Sequence, residues 1–150
     1  MLTISHTVAE TESLASFFIS KLVARPPTAV ATVLGLNGDL GSGKTAFTKG
    51  IAQALHVQEL VTSPTFVIEK IYQLDNSRFA NLIHIDAYRL DKGEDLVRLG
   101  WDAIIKDPKN LIIVEWPQNV KDIMPANTID IVFTFVDPAT RGIEIKEIQQ

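Results

Sequence analysis

The stretch from Ala29 to Thr45, AVATVLGLNGDLGSGKT, decides how the chain is read. Its first part, Ala29 to Leu36, is β-rich and nearly all apolar, which predicts a strand covered on both faces. Its second part, Gly38-Asp39-Leu40-Gly41-Ser42-Gly43-Lys44-Thr45, fits G-x-x-x-x-G-K-[ST]. Beyond it, Phe47, Ile51 and Leu55 recur at helical spacing and predict a helix over 44–55. The glycines let the backbone wrap closely, so that successive amides point at phosphate oxygens. The helix start adds its positive dipole end. Lys44 is placed to reach the β and γ phosphates, and the Thr45 hydroxyl to bind Mg²⁺. Strand, glycine-rich turn and helix, in that order, are the context this motif needs.

Such a loop calls for a carboxylate at the end of another apolar strand. Two acids qualify. Asp86 follows Leu82-Ile83-His84-Ile85, and Glu115 follows Leu111-Ile112-Ile113-Val114. Glu115 ends the more apolar strand and is the better Mg²⁺-linked acid, with Asp86 facing the γ phosphate or its water. The sequence leaves open which of the two touches the metal. A guanine-reading NKxD motif and a DxxG switch are both missing, so ATP is the expected nucleotide. His84 reads first as a hydrogen-bonded structural histidine, with proton transfer as the alternative.

Working outward, Leu14, Phe17, Phe18 and Leu22 define an amphipathic helix over about 10–24, stopped by Arg25-Pro26-Pro27. Phe66 to Leu74 alternates, as a half-exposed strand does, and is expected to pair with Asn81 to Asp86 across the Asp75-Asn76-Ser77 turn. Asp91 to Ile105 reads as a helix with a break at Gly100, and its Trp101 as a core residue. Thr128 to Val136 and Gly142 to Ile148 form an expected hairpin. The fold class is therefore α/β, with a mostly parallel central sheet flanked by helices and antiparallel edge strands.

Composition narrows the function classes. The chain has 150 residues, 46% hydrophobic and 21% charged, which suits one globular domain spanning 1–150. Cysteine is absent, which excludes disulfides, thiolate nucleophiles, zinc fingers and iron–sulfur clusters. A formal charge of −4 supplies no global basic field for gripping DNA or RNA. The N-terminus lacks the basic-then-apolar order of a signal peptide, and no apolar run is long enough to span a membrane. A cytoplasmic location is the expectation.

Four segments in order, GDLGSGKT, Ser63-Pro64-Thr65-Phe66, His84-Ile85-Asp86-Ala87-Tyr88-Arg89-Leu90 and Val114-Glu115-Trp116-Pro117, resemble the TsaE (YjeE) family over about residues 8–145. The resemblance implies a small P-loop ATPase using ATP and Mg²⁺. It implies TsaB and TsaD as partners in making threonylcarbamoyladenosine on tRNA, with TsaD carrying the transferase site and tRNA met only through the complex. It implies that Gly38 to Thr45 and the following Ala46 hold the nucleotide, with Lys44, Asp86 and Glu115 catalytic and Thr45 and Glu115 on the metal. It further implies a switch-like loop containing Ser63 and Thr65, partner or switch roles for Tyr88, Arg89 and Trp116, and nucleotide contacts from Ser13 and Arg141. Arg89 as an internal arginine finger is a further option. Ser42 and Ala46 stand where the family more often has Ala and Thr, and neither change removes a ligand. Two rival readings stay open: a small-molecule kinase with Asp86 as base, and an ATP-binding adaptor that does not hydrolyse.

Overall fold

A computed structural model describes residues 2–59 and 68–147. In chain order the elements are β1 (Leu2–Ser5), α1 (Val8–Val23), β2 (Thr32–Asn37), α2 (Lys44–Ala54), β3 (Glu69–Gln73), β4 (Asn81–Asp86), α3 (Gly93–Val97), α4 (Trp101–Ile104), β5 (Asn110–Glu115), a 3₁₀ turn (Pro117–Val120), β6 (Ile129–Phe135) and β7 (Arg141–Lys146). The strands form one seven-stranded sheet in the order β1-β7-β6-β2-β5-β4-β3. The central pairs β6–β2, β2–β5 and β5–β4 are parallel. The outer pairs β1–β7, β7–β6 and β4–β3 are antiparallel.

The apolar runs explain the centre. Every residue of β5 is buried, so both faces of that strand need cover. On one face, Leu34, Leu36, Leu82, Leu111 and Ile113 pack under Phe18, Ile19, Phe47 and Ile51 of α1 and α2. On the other, Val33, Ile83, Ile85, Ile112 and Val114 pack with Leu96, Trp101 and Val120. Each fully buried large apolar side chain contributes about 1.5–3 kcal/mol. The two helices of the first face approach closely at Gly50, where a Cβ would lie 2.5 Å from the Glu12 carbonyl oxygen and 2.8 Å from Ala15 Cβ. Any larger residue there would push α1 off α2.

α1 begins at Thr7, whose Oγ1 accepts the Glu10 amide at 3.0 Å, while Glu10 Oε2 accepts the His6 amide at 2.6 Å. It ends before Arg25-Pro26-Pro27, as the prolines require.

The structure shifts one expected boundary, matches one break and adds one strand. The first core strand starts at Thr32 rather than Ala29, because the Ala31 amide bonds to the Ile105 carbonyl and Val30 is exposed. The span from Asp91 to Ile105 holds two short helices separated at the expected break, Gly100, which takes φ +93°. The strand expected from Phe66 is described only over Glu69–Gln73, and its first two residues lie outside the described part of the chain. β1 was not expected from the sequence at all; it pairs Leu2–Ser5 with β7 at the sheet edge.

Candidate nucleotide site

The three central strands β2, β4 and β5 end side by side. Parallel register sets Asp86 opposite Glu115, and Glu115 opposite Leu36, two residues before the glycine-rich loop begins at Gly38. Ligands of parallel sheets sit at this carboxyl end. The loop itself turns through Gly41 at φ +75° and Gly43 at φ +109°, backbone that L side chains rarely adopt. Gly43 then caps α2, so the free amides of the first helical turn and its positive dipole end face the same space.

Lys44, the first residue of α2, folds back over the loop. Its Nζ donates to the Gly38 carbonyl oxygen at 2.5 Å and lies 4.1 Å from the centre of the Trp116 ring. Burial pushes its ammonium below the usual lysine range, while the Glu115, Asp86 and Asp39 carboxylates pull it back up. Glu115 is itself buried, and its Oε2 lies 2.9 Å from His84 Nε2. Asp86 Oδ1 accepts the Tyr88 amide at 2.9 Å, which ties the acid to the loop after β4.

That loop is fixed from the other side. Asn119 Nδ2 donates to the Ala87 carbonyl at 3.0 Å and to the Tyr88 carbonyl at 3.3 Å. The Tyr88 and Trp116 rings lie 5.1 Å apart, and Trp116 holds left-handed backbone at φ +58° directly after Glu115. A bulky residue held there is uncommon, and it puts the indole beside the lysine. Opposite, Arg141 donates from Nε to the Gly41 carbonyl at 3.2 Å and from Nη1 to the Asp137 carbonyl at 2.6 Å. Its guanidinium also stacks 4.7 Å above Phe135. Arg141 therefore braces the glycine-rich loop against the β6–β7 hairpin.

These groups surround a cavity of about 730 Å³. Of the residues singled out in the sequence, Leu40 to Ala46, Asp86, Tyr88, Arg89, Glu115, Trp116 and Arg141 all line it. Gly38 contributes the carbonyl that holds Lys44, and the Asp39 carbonyl accepts the Ser42 amide at 3.1 Å. Ser13 is exposed on α1 and is not among the lining residues; Thr7 and Thr11, from the start of the same segment, are. Ser63 and Thr65 lie outside the described residues. The sequence reading missed His6, Thr7, Val8, Thr11, Ile68, Pro138 and Ala139. Thr7-x-x-Glu10 before an amphipathic run was a readable helix start and could have pointed to the first group. Nothing local to Pro138 or Ala139 signals a site.

The donor set suits Mg²⁺. That ion is held by one or two carboxylates, hydroxyls, phosphates and water rather than by an all-protein cage. Thr45 and Glu115 both line the cavity and supply a hydroxyl and a carboxylate, and Glu115 Oε1 has no hydrogen-bond partner among the described residues.

Comparison with known proteins gives a consistent result. The sequence profile of the family described as "Threonylcarbamoyl adenosine biosynthesis protein TsaE" matches residues 5–143. The tRNA threonylcarbamoyladenosine biosynthesis protein TsaE of Bacillus subtilis is 39% identical over 117 residues, which is 75% of this chain and 70% of that one. Its counterpart in Rickettsia typhi is 32% identical over 139 residues, 92% of this chain and 89% of that one. The crystal structure of Bacillus subtilis YdiB superposes with a TM-score of 0.77 at 28% identity, covering 99% of this chain and 86% of that one. With a sheet that is parallel at its centre and a glycine-rich loop at the carboxyl end of β2, this chain belongs to the TsaE family of tRNA threonylcarbamoyladenosine biosynthesis.

Proposed function

We propose that the chain is a Mg²⁺-dependent ATPase that acts with TsaB and TsaD to support their modification of tRNA. The observation that carries this reading is convergence: Lys44, Thr45, Asp86 and Glu115 come from three separate elements onto one cavity. In it, the loop amides and Lys44 bind the β and γ phosphates and stabilise charge as the γ phosphoryl leaves. Thr45 and Glu115 would hold Mg²⁺, which when bound neutralises charge on the phosphate oxygens. Asp86, held by the Tyr88 amide, orients the attacking water. Binding ATP draws Lys44 away from the Gly38 carbonyl and from the Trp116 ring.

Partner action fits the rim of the site. Leu40, Val8 and Tyr88 are exposed apolar or aromatic side chains, and all three line the cavity. Arg141 is committed to loop carbonyls, so Arg89 is the lining arginine left to act on the γ phosphate. A TsaB–TsaD pair seated on this rim would order Tyr88 and Arg89 and exclude water. tRNA is then met through the partners, in keeping with the net charge of −4. No helix among the described residues is long and apolar enough to cross a membrane.

Phosphate release from Mg²⁺–ATP tests this, with the chain alone, with a TsaB–TsaD pair, and with Lys44→Ala as the blank. Slow release that rises with the pair and disappears in the blank is expected. A rate indifferent to both would refute the proposal, and phosphate appearing on an added small acceptor would identify a kinase instead.

A further inference from the structure

Along β4, side chains alternate, so Leu82, His84 and Asp86 share the face that packs beneath α2. Leu82 belongs to the apolar core there, and the neighbour of His84 in register on β5 is Ile113, another core residue. A leucine or isoleucine would continue this ladder. The chain instead buries an imidazole to 1% exposure, with no hydrogen-bond partner for Nδ1 among the described residues. An unsatisfied buried nitrogen costs free energy, so packing alone does not account for the histidine. Its other nitrogen, Nε2, meets Glu115 Oε2 at 2.9 Å. An ionised carboxylate only accepts, so the hydrogen of that contact sits on Nε2.

We propose that His84 is the positioning residue for Glu115 in the Mg²⁺–nucleotide site, an inference that rests on the Mg²⁺–nucleotide binding, though not the hydrolysis, of the reading above. Its Nε2–H fixes Oε2 of a nearly buried carboxylate, and Oε1, with no partner among the described residues, is left to the cavity. Groups that orient a metal's ligands in this way preserve the geometry that the ion needs. The role is one of aim: the histidine itself does not line the cavity.

The test exploits the reach of amide side chains. The Nε2 of glutamine can occupy the place of the imidazole Nε2, whereas the asparagine amide falls short of it. His84→Gln, His84→Asn and His84→Leu would be compared in the full chain. The readout is the ratio of affinities for a fluorescent ADP analogue in Mg²⁺ and in EDTA. His84→Asn and His84→Leu should reduce this ratio about 10- to 100-fold while the EDTA affinity, which reports an intact loop, changes less than about threefold. His84→Gln should keep most of the ratio. In phosphate release, the same two variants should lower kcat with little change in KM. The inference fails if His84→Leu keeps the parental ratio, or if all three variants lose EDTA affinity together. A parent that shows the Mg²⁺ linkage but no hydrolysis would break the ATPase reading and leave this inference standing. A parent with no linkage would break both.

Discussion

The two ends of the parallel strands bury polar side chains in opposite ways. Where β4 and β5 begin, most of the groups are closed on one another, Arg78 Nε being the buried atom there without a hydrogen-bond partner among the described residues. Asn110 donates to the Ile104 carbonyl at 2.9 Å and accepts from Asn81 at 3.0 Å. Arg78 donates to the Pro108 carbonyl at 3.2 Å and to Thr28 Oγ1 at 3.4 Å, and lies 4.5 Å from the centre of the Phe79 ring. Where the same strands end, the groups are left partly open. Among the described residues, Lys44 has a carbonyl and an aromatic ring but no carboxylate contact, and Glu115 has one oxygen engaged and one not. Polar groups that satisfy one another hold loops together; polar groups held short of satisfaction are ready for a ligand. The difference separates a structural end from a functional end of one sheet.

The contrast can be broken most severely at Lys44. Lys44→Met should lower affinity for ATP by about 100-fold or more, as loss of a charged phosphate contact does. Its effect on stability should have the opposite sign. Because burial depresses the lysine in the folded state, that state holds its proton less tightly than the unfolded chain. Folding therefore becomes more favourable as pH rises through the lowered value toward the ordinary one, and the charged form is the penalised one at neutral pH. Removing the charge should raise the thermal midpoint of the nucleotide-free protein. A fall in that midpoint would show Lys44 to be structural.

The opposite end sharpens the comparison. Asn110→Ala strips the Ile104 carbonyl and the Asn81 amide of their partner and should cost about 1–3 kcal/mol in denaturant unfolding. Its ATP affinity should match that of the parent. Reduced affinity at undiminished stability would erase the distinction between the two ends.

The smallest effect is expected at the hairpin that carries Arg141. Asp137 Oδ1 accepts the Ala139 and Thr140 amides, each at 2.9 Å. The Ala139 amide, then Thr140, hold its carboxyl below the usual aspartate range. That contribution is present above the unfolded value and is lost as pH falls through the folded one. Asp137→Ala should melt slightly lower at pH 7 and converge with the parent as the solution is acidified below about pH 4. A difference that persists in acid would assign the loss to the turn backbone rather than to the carboxylate.

How much of this was legible in the sequence follows from how local each signal is. The strand–loop–helix unit from Thr32 to Ala54 could be read because apolar periodicity and the glycine spacing lie within one window. Asp86 and Glu115 could be read as strand-end acids, but not as neighbours: their pairing depends on the β4–β5 register. The His84–Glu115 contact was hidden for the same reason, since it joins positions 31 residues apart. β1 was not legible because it has four residues, and Leu2 and Ile4 remain exposed. Ser13 was carried over from the family pattern, whereas the cavity takes Thr7 and Thr11, which the turn into α1 brings to its edge. Pro138 and Ala139 reach the site only because β7 returns antiparallel to β6.

Calorimetric titration of ATP with Mg²⁺ into the parent chain, Lys44→Met and Asn110→Ala tests the central claim most directly. The account predicts saturable binding to the parent and to Asn110→Ala, and none to Lys44→Met at the same concentrations. Binding that survives in Lys44→Met, or a parent that takes up no ATP, would contradict it.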